Sequence, residues 1–313
     1  MAILLSPWKA GDAWAQALRA SATTLGIELA LHVHLDPVDP VDPHDVQYLI
    51  AWKHDATDVR RYPNLRAILS AGAGIEQFMT QDYPAVPVVR LADPAMSDEM
   101  AQYAVHWVTH FQRRFDVIAE QQADALWAQP QYVPAGEHPV GVLGYGTIGR
   151  RIGDALRSLG YPVHAWSRTG TDDSNVTSHA GVDNLADFLG ACLSVVNVLP
   201  SSDSTRHILN EERFAQFRPG SALINIGRGA TVDEDALVAA LDNGPISQAV
   251  LDVTAIEPLP AESPLWNHPA VHITPHMAGN TQMTSSALLM MENIGRMERG
   301  EDPFPMLNRS RGY

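Results

Sequence analysis

Pro139-Val140-Gly141-Val142-Leu143-Gly144-Tyr145-Gly146-Thr147-Ile148-Gly149 decides the fold of this chain. A short apolar run ends on glycines spaced G-x-G-x-x-G, and a helical pattern over residues 150–159 follows at once. In that context the glycines permit a tight turn and let backbone N–H groups come close to a ligand. The helix N-terminus then favours the negative charge of a pyrophosphate. Glycine turns also join strands to helices for purely structural reasons, so a dinucleotide site needs support from the rest of the chain.

That support lies on both sides. Downstream, strand-like runs at 163–166, 194–199, 222–226, 249–253 and 271–274 are separated by helical stretches, notably 183–189 and 233–243. Such alternation predicts a doubly wound parallel sheet. Upstream, runs at 2–6, 28–33, 46–52, 65–70 and 86–91, with an Ala-rich helix at 11–25, predict a second, smaller α/β layer. One long helix is expected over 97–127, with Asp98 and Glu99 in its first turn, where the helix dipole favours acids. A final helix over 282–299 returns to the first lobe and makes that domain discontinuous. The predicted fold class is α/β with two parallel-sheet domains.

Composition fits two lobes. The 313 residues exceed the size of one usual core, and 45% hydrophobic with 18% charged residues describes a soluble globular chain. The first residues, 1–6, read as a strand and not as a signal segment, so a cytoplasmic location is expected. The balance of 21 basic against 36 acidic residues, a net charge of −15, argues against nucleic acid or anionic membrane as partners. The lone Cys192 sits in an apolar stretch and reads as a buried, inert thiol.

Three polar residues stand just past successive apolar runs: Arg228, Glu257 and His276. An open parallel sheet gathers such residues at the crevice outside its carboxyl ends. Reduction of a 2-oxo acid needs hydride at the carbonyl carbon, a proton for the developing alkoxide and positive charge on the substrate oxygens. A guanidinium supplies the charge, and a carboxylate beside an imidazole favours the protonated form that gives the proton. Cofactor choice is read after the second strand of the unit. An acid there bonds a ribose 2′-hydroxyl, but this chain has Ser167-Arg168-Thr169, a set suited to a 2′-phosphate. NADP(H) is therefore expected over NAD(H), with Asp172 and Asp173 opposing phosphate binding if they fold inward. His106 and His110, spaced i, i+4 on a helix, have a metal-compatible spacing, but no cysteine or carboxylate pattern completes a site, and packing is the preferred reading.

In order and context, the segments 141–149, 224–229, 252–260 and 273–279 resemble the D-isomer-specific 2-hydroxyacid dehydrogenase family, and within it the glyoxylate/hydroxypyruvate reductase branch. The resemblance implies a Rossmann cofactor domain over 98–278 and a flavodoxin-like substrate domain from 1–97 and 279–313. It implies that Arg228 orients substrate, His276 donates the proton and Glu257 partners His276. It further implies cofactor contacts at Gly144, Tyr145, Gly146, Thr147, Ile148, Gly149, Ser167, Arg168, Thr169, Leu199, Pro200, Ile226, Gly227, Asp252 and Gly279. Asp252 is placed near the nicotinamide carboxamide. The substrate carboxylate is expected on backbone N–H groups of the 70–75 loop, chiefly Ala73 and Gly74.

Trp52 and Trp266 are the expected pocket walls, which restrict the substrate to small 2-oxo acids, with core packing as the competing reading for both. Two positions depart from the family pattern. The segment 171–179 is acidic and polar where a second basic residue would strengthen phosphate recognition, and Glu76 stands where many relatives carry Asp. The family implies a homodimer built through the cofactor domain, with the 97–127 helix and the 129–136 connection as contacts. The competing functions are a dehydrogenase of the same fold for another 2-hydroxy acid, and a dinucleotide-sensing, corepressor-like binding protein.

Overall fold

The computed structural model describes residues 2–6, 11–33, 41–52, 59–72, 74–79 and 85–309. The chain divides into two compact units, Met1–Met96 with Thr281–Tyr313, and Ser97–Asn280.

The first unit is built on five parallel strands in the order β2-β1-β3-β4-β5. These are β1 (Ala2–Leu5), β2 (Ala30–Val33), β3 (Val46–Ala51), β4 (Ala67–Ser70) and β5 (Val88–Val89). β1, β4 and nearly all of β3 are buried, as expected of parallel strands covered on both faces. Successive residues serve opposite faces. Ile3, Leu5, Tyr48, Ile50 and Leu69 pack with Trp14 and Leu18 of helix α1 (Gly11–Leu25) and with methionines and Ile294 from near the C-terminus. Leu4, Leu49 and Ile68 pack with Val59, Tyr62 and Phe78 on the other face. α1 stops because Gly26 adopts φ 66°, which lets the Ile27 N–H turn back to the Ala22 carbonyl.

The second unit carries seven parallel strands in the order β12-β11-β10-β9-β6-β7-β8. They are β6 (Val140–Leu143), β7 (Val163–Ser167), β8 (Thr177–Ala180), β9 (Ser194–Asn197), β10 (Ser221–Asn225), β11 (Ile246–Leu251) and β12 (Val271–Ile273). The order reverses beside β6, the topological switch point where such sheets open a crevice. The two α/β parallel sheets agree with the expected fold class.

The expected single helix over 97–127 is two helices. α2 (Pro94–Gln112) starts earlier than expected, with proline at its first position and Asp93 accepting the Ala95 N–H at 2.9 Å. α3 (Phe115–Ala123) follows a break at Arg114, which takes φ 58° and ψ 43°. Its guanidinium then reaches Asp116 at 3.3 Å. No glycine or proline marks this break, so the helical periodicity runs through it unseen. Asp98 lies inside α2, where it pairs with Arg151 of α4 (Thr147–Ser158). β8 went unread because Thr177-Ser178-His179-Ala180 is an exposed edge strand without an apolar face.

The remaining helices are α5 (Leu185–Ala191), α6 (Glu211–Phe214), α7 (Glu234–Asn243) and α8 (Met283–Glu298). α8 belongs to the first unit and supplies Met290, Met291, Ile294 and Met297 to its core. Asn293 of α8 fixes the tail by donating to the Phe304 carbonyl at 3.1 Å and accepting its N–H at 2.8 Å. Among the described residues, no helix is long and apolar enough to cross a membrane. Cys192 is wholly buried and burial pushes its thiol pKa well up, so the inert reading holds. His110 packs against Trp107 at 5.2 Å and His272 at 5.7 Å between ring centroids.

Candidate active site

β10, β11 and β12 are neighbours in the sheet, and the three catalytic candidates follow their carboxyl ends in turn. Arg228 stands three residues beyond Asn225, Glu257 six beyond Leu251, and His276 three beyond Ile273. His276 Nδ1 and Glu257 Oε2 are 2.7 Å apart. The other carboxylate oxygen of Glu257 accepts the Thr254 N–H at 3.2 Å, which fixes its approach. The bond uses Nδ1 of the imidazole and leaves Nε2 available to another partner.

His276 has φ 52°, a conformation that L residues adopt at a cost of about 1–3 kcal/mol unless their surroundings impose it. Asp252 imposes it. This aspartate is 3% exposed, and its Oδ1 accepts the Thr274 hydroxyl at 2.6 Å and the Met277 N–H at 2.8 Å, while Oδ2 accepts the Ala278 N–H at 2.9 Å. The Asp252 carbonyl takes the His276 N–H at 2.9 Å. Tyr103 of α2 closes the chain at Thr274 Oγ1, 2.6 Å away. The sequence reading assigned Asp252 to the cofactor and had no role for Thr274 or Tyr103. A buried acid just past one strand and a threonine just past the next were the available signal.

Arg228 rests on a second buried polar set. Asn197 Nδ2 donates to Asn225 Oδ1 at 2.9 Å and to Thr231 Oγ1 at 2.7 Å, and the Thr231 hydroxyl donates to the Arg228 carbonyl at 2.6 Å. The Arg228 guanidinium donates to the Gly227 carbonyl at 2.7 Å. Gly229 is obligatory here, since a Cβ on it would lie 2.0 Å from the Thr254 backbone. The loops carrying Arg228 and Glu257 therefore touch. Asn197, Asn225 and Thr231 escaped the sequence reading because a single polar residue ending an apolar run carries no motif.

The glycine loop fits a dinucleotide. A Cβ on Gly149 would meet the Gly144 carbonyl oxygen at 2.0 Å, so the turn closes on itself only with glycine. A Cβ on Gly146 would meet nothing within 4 Å, which leaves open space above the exposed first turn of α4. The first N–H groups of a helix have no acceptor within it, so this turn suits an anion. Tyr145 is buried, Thr147 exposed and Ile148 half-buried.

Leu199 adjoins this loop, because Cβ atoms on Gly144 and Gly227 would fall 3.2 Å and 2.6 Å from its atoms. Pro200 accepts the Thr205 hydroxyl at 2.7 Å, and the Ile226 N–H bonds to the Asn197 carbonyl at 3.0 Å. Ser167 closes β7 and donates to the Gly170 carbonyl at 2.8 Å, with Arg168 and Thr169 exposed in the turn between them. Asp172 and Asp173, the feared opponents of a phosphate, are engaged by Arg150 at 3.0 Å and by Tyr145 at 3.1 Å. Gly279 is half-buried after the His276 turn.

In the first unit, Trp52 follows β3 and is half-buried, and Gly72 and Gly74 are buried in the loop after β4. Ala73 lies outside the described residues, as does the side chain of Glu76. Trp266 is 50% exposed, and its indole N–H is used on the Pro260 carbonyl at 2.9 Å, so it is not a core residue.

Known proteins resemble this chain in sequence and fold. The profile of the D-isomer specific 2-hydroxyacid dehydrogenase, NAD binding domain, matches residues 105–278. A D-isomer specific 2-hydroxyacid dehydrogenase from Xanthobacter autotrophicus Py2, crystallised with NADPH and MES, is 36% identical over 99% of each chain, with a TM-score of 0.93. A probable 2-hydroxyacid dehydrogenase from Rhizobium etli CFN 42, in complex with NADP, HEPES and L(+)-tartaric acid, is 29% identical over 99% of each chain, with a TM-score of 0.91. The NADPH-dependent glyoxylate/hydroxypyruvate reductase of Sinorhizobium meliloti, in complex with NADP and sulfate, is 27% identical over 100% of each chain, with a TM-score of 0.90. With the family profile spanning more than half of the sequence and this similarity running end to end, the chain belongs to the D-isomer specific 2-hydroxyacid dehydrogenase family of NAD(P)-dependent enzymes.

Proposed function

We propose that this enzyme reduces a small 2-oxo acid of the glyoxylate or hydroxypyruvate kind to the D-2-hydroxy acid, with NADPH as the preferred cofactor. The observation that carries the reaction is the 2.7 Å contact between His276 Nδ1 and Glu257 Oε2, set beside Arg228 at adjacent strand ends. NADPH, bound at the glycine loop, supplies the hydride to the carbonyl carbon. His276 gives the proton on Nε2 to the carbonyl oxygen as it gains charge, and Glu257 stabilises the imidazolium that precedes the transfer. Arg228 holds the carboxylate and polarises the carbonyl. One 2-oxo acid, one NADPH and one proton thus become one 2-hydroxy acid and NADP+.

Ser167-Arg168-Thr169 supports NADPH, and the Rhizobium, Sinorhizobium and Xanthobacter proteins crystallised with NADP or NADPH support it independently. Similarity to the Sinorhizobium enzyme and the bulk of Trp52 support a small substrate. Ala73, Gly74, Trp52 and Trp266 are assigned to the substrate, and the remaining strand-end residues to the cofactor.

The same reading makes the enzyme a homodimer of the cytosol. Phe115, Ile118, Leu126, Trp127, Tyr132 and Val133 expose apolar surface in one stretch of the second unit, and Trp127 is 102% exposed. A second copy of the chain covering that stretch accounts for it.

Steady-state oxidation of NADPH and of NADH against a panel of 2-oxo acids tests the assignment. Turnover of glyoxylate and hydroxypyruvate well above pyruvate and bulkier acids is expected, with the higher kcat/KM for NADPH. Absence of turnover with every small 2-oxo acid defeats the substrate class.

A further inference from the structure

Tyr145 holds both ends of the segment that carries Arg168. Its backbone N–H donates to the Trp166 carbonyl at 3.2 Å, beside the Gly144 N–H at 2.9 Å, and its phenol donates to Asp173 Oδ2 at 3.1 Å. Ser167, Arg168 and Thr169 lie between those two anchors. Tyr145 is 5% exposed, and its ring sits over Gly153, where a Cβ would lie 2.8 Å from the phenol oxygen. Burial, then the hydrogen bond to Asp173, pushes the phenol pKa up to about 12, so the group remains a donor.

Asp173 in turn organises the far side of the loop. Its Oδ1 accepts the backbone and side-chain N–H groups of Asn175, both at 3.0 Å, and its own N–H donates to Thr171 Oγ1 at 3.2 Å. Thr171 donates its N–H to Ser178 Oγ of β8 at 3.0 Å. The turn is thereby tied to the edge strand on one side and to the glycine loop on the other.

We propose that Tyr145 is a positioning residue for cofactor selection: through Asp173 it fixes the turn bearing Arg168 against the glycine loop, so that recognition of a 2′-phosphate and the hold on the pyrophosphate depend on one side chain. The inference rests on the NADP(H) reading above. It reverses the sign that simple electrostatics gives to Asp173. As an unanchored negative charge near Arg168, this residue would repel a 2′-phosphate, and its neutralisation would tighten NADPH. As the anchor of the turn, its neutralisation weakens NADPH.

Dissociation constants for NADPH and NADH, followed by quenching of tryptophan fluorescence, are compared in the wild-type protein, Tyr145→Phe, Asp173→Asn and the double variant. Each single variant is expected to weaken NADPH by roughly 5- to 10-fold, the scale of one ordinary hydrogen bond, and NADH by less than about 2-fold. The double variant should be no weaker than the weaker single one, because the contact between Tyr145 and Asp173 can be lost only once. Equal weakening of the two cofactors, or tighter NADPH binding by Asp173→Asn, overturns the proposal and leaves the cofactor reading intact. Equal wild-type affinity for NADPH and NADH overturns the cofactor reading, and the proposal falls with it.

Discussion

The indole of Trp52 lies so close to the α-carbon of Gly72 that a Cβ there would sit 1.8 Å from Cζ3 and 2.3 Å from Cε3. The glycine after β4 is thus required by the tryptophan after β3. Gly72→Ala must displace the ring, at an expected cost of about 1–3 kcal/mol, and it should raise the KM for the 2-oxo acid. Trp52→Ala in the same chain removes the clash, so the double variant should be more stable than the sum of the single losses predicts. Urea unfolding of the four proteins checks this, and strict additivity would refute the steric account.

Replacing the members of the trio should separate binding from proton transfer. His276→Ala is expected to lower kcat by about 10²- to 10⁴-fold with little change in KM, as loss of a general acid does. Arg228→Ala should lower kcat and raise KM together, since the guanidinium acts on both ground and transition states. Glu257→Gln should fall between wild type and His276→Ala. Full activity in the histidine or arginine variant removes that residue from the mechanism.

Asp252 offers a different signature. Asp252→Ala leaves the N–H groups of Met277 and Ala278 without their acceptor, the buried one of Ala278 at a cost of about 1–3 kcal/mol, and releases the strained backbone of His276. Stability and kcat should therefore drop together. A variant with normal stability and a defect confined to cofactor KM would favour a purely cofactor-binding role.

Acid should destabilise the protein before its carboxylates titrate. Burial lowers the pKa of His110, His138, His164, His179 and His272, and that of His138 to about 4, with Arg218 adding to the effect. The folded state keeps these rings neutral while the unfolded chain protonates them below about pH 6.5, so the unfolded state binds more protons. Stability is full above that pH and is lost as the pH falls towards 4, with His138 alone accounting for about 3 kcal/mol. His138→Gln should flatten the dependence in this window by keeping a partner for Ser194, 2.9 Å away. Unfolding free energies between pH 4 and 7 decide it, and an unchanged slope in the variant excludes His138 as the source.

How much of this was legible depended on whether a feature is local. β6 and the glycine turn were legible because the constraint that makes Gly149 a glycine, its contact with the Gly144 carbonyl, spans only a few residues. The break at Arg114 was not, since a left-handed residue among ordinary helix formers changes no periodicity. β8 was missed for the opposite reason: its place is set by backbone pairing with β7, while its side chains are exposed apart from half-buried His179 and carry no apolar signal.

The sequence by itself determined the two α/β patterns, the residue types of the trio and the chemistry they offer, because alternating apolar runs and glycine spacing are consequences of burial and backbone sterics along a short stretch. Only the tertiary structure decided that β10, β11 and β12 lie side by side, that Asp252 uses both carboxylate oxygens to hold the His276 turn, and that Tyr145 reaches Asp173. Each of those relations joins residues far apart in the chain, and contacts at such separations leave no period or spacing behind.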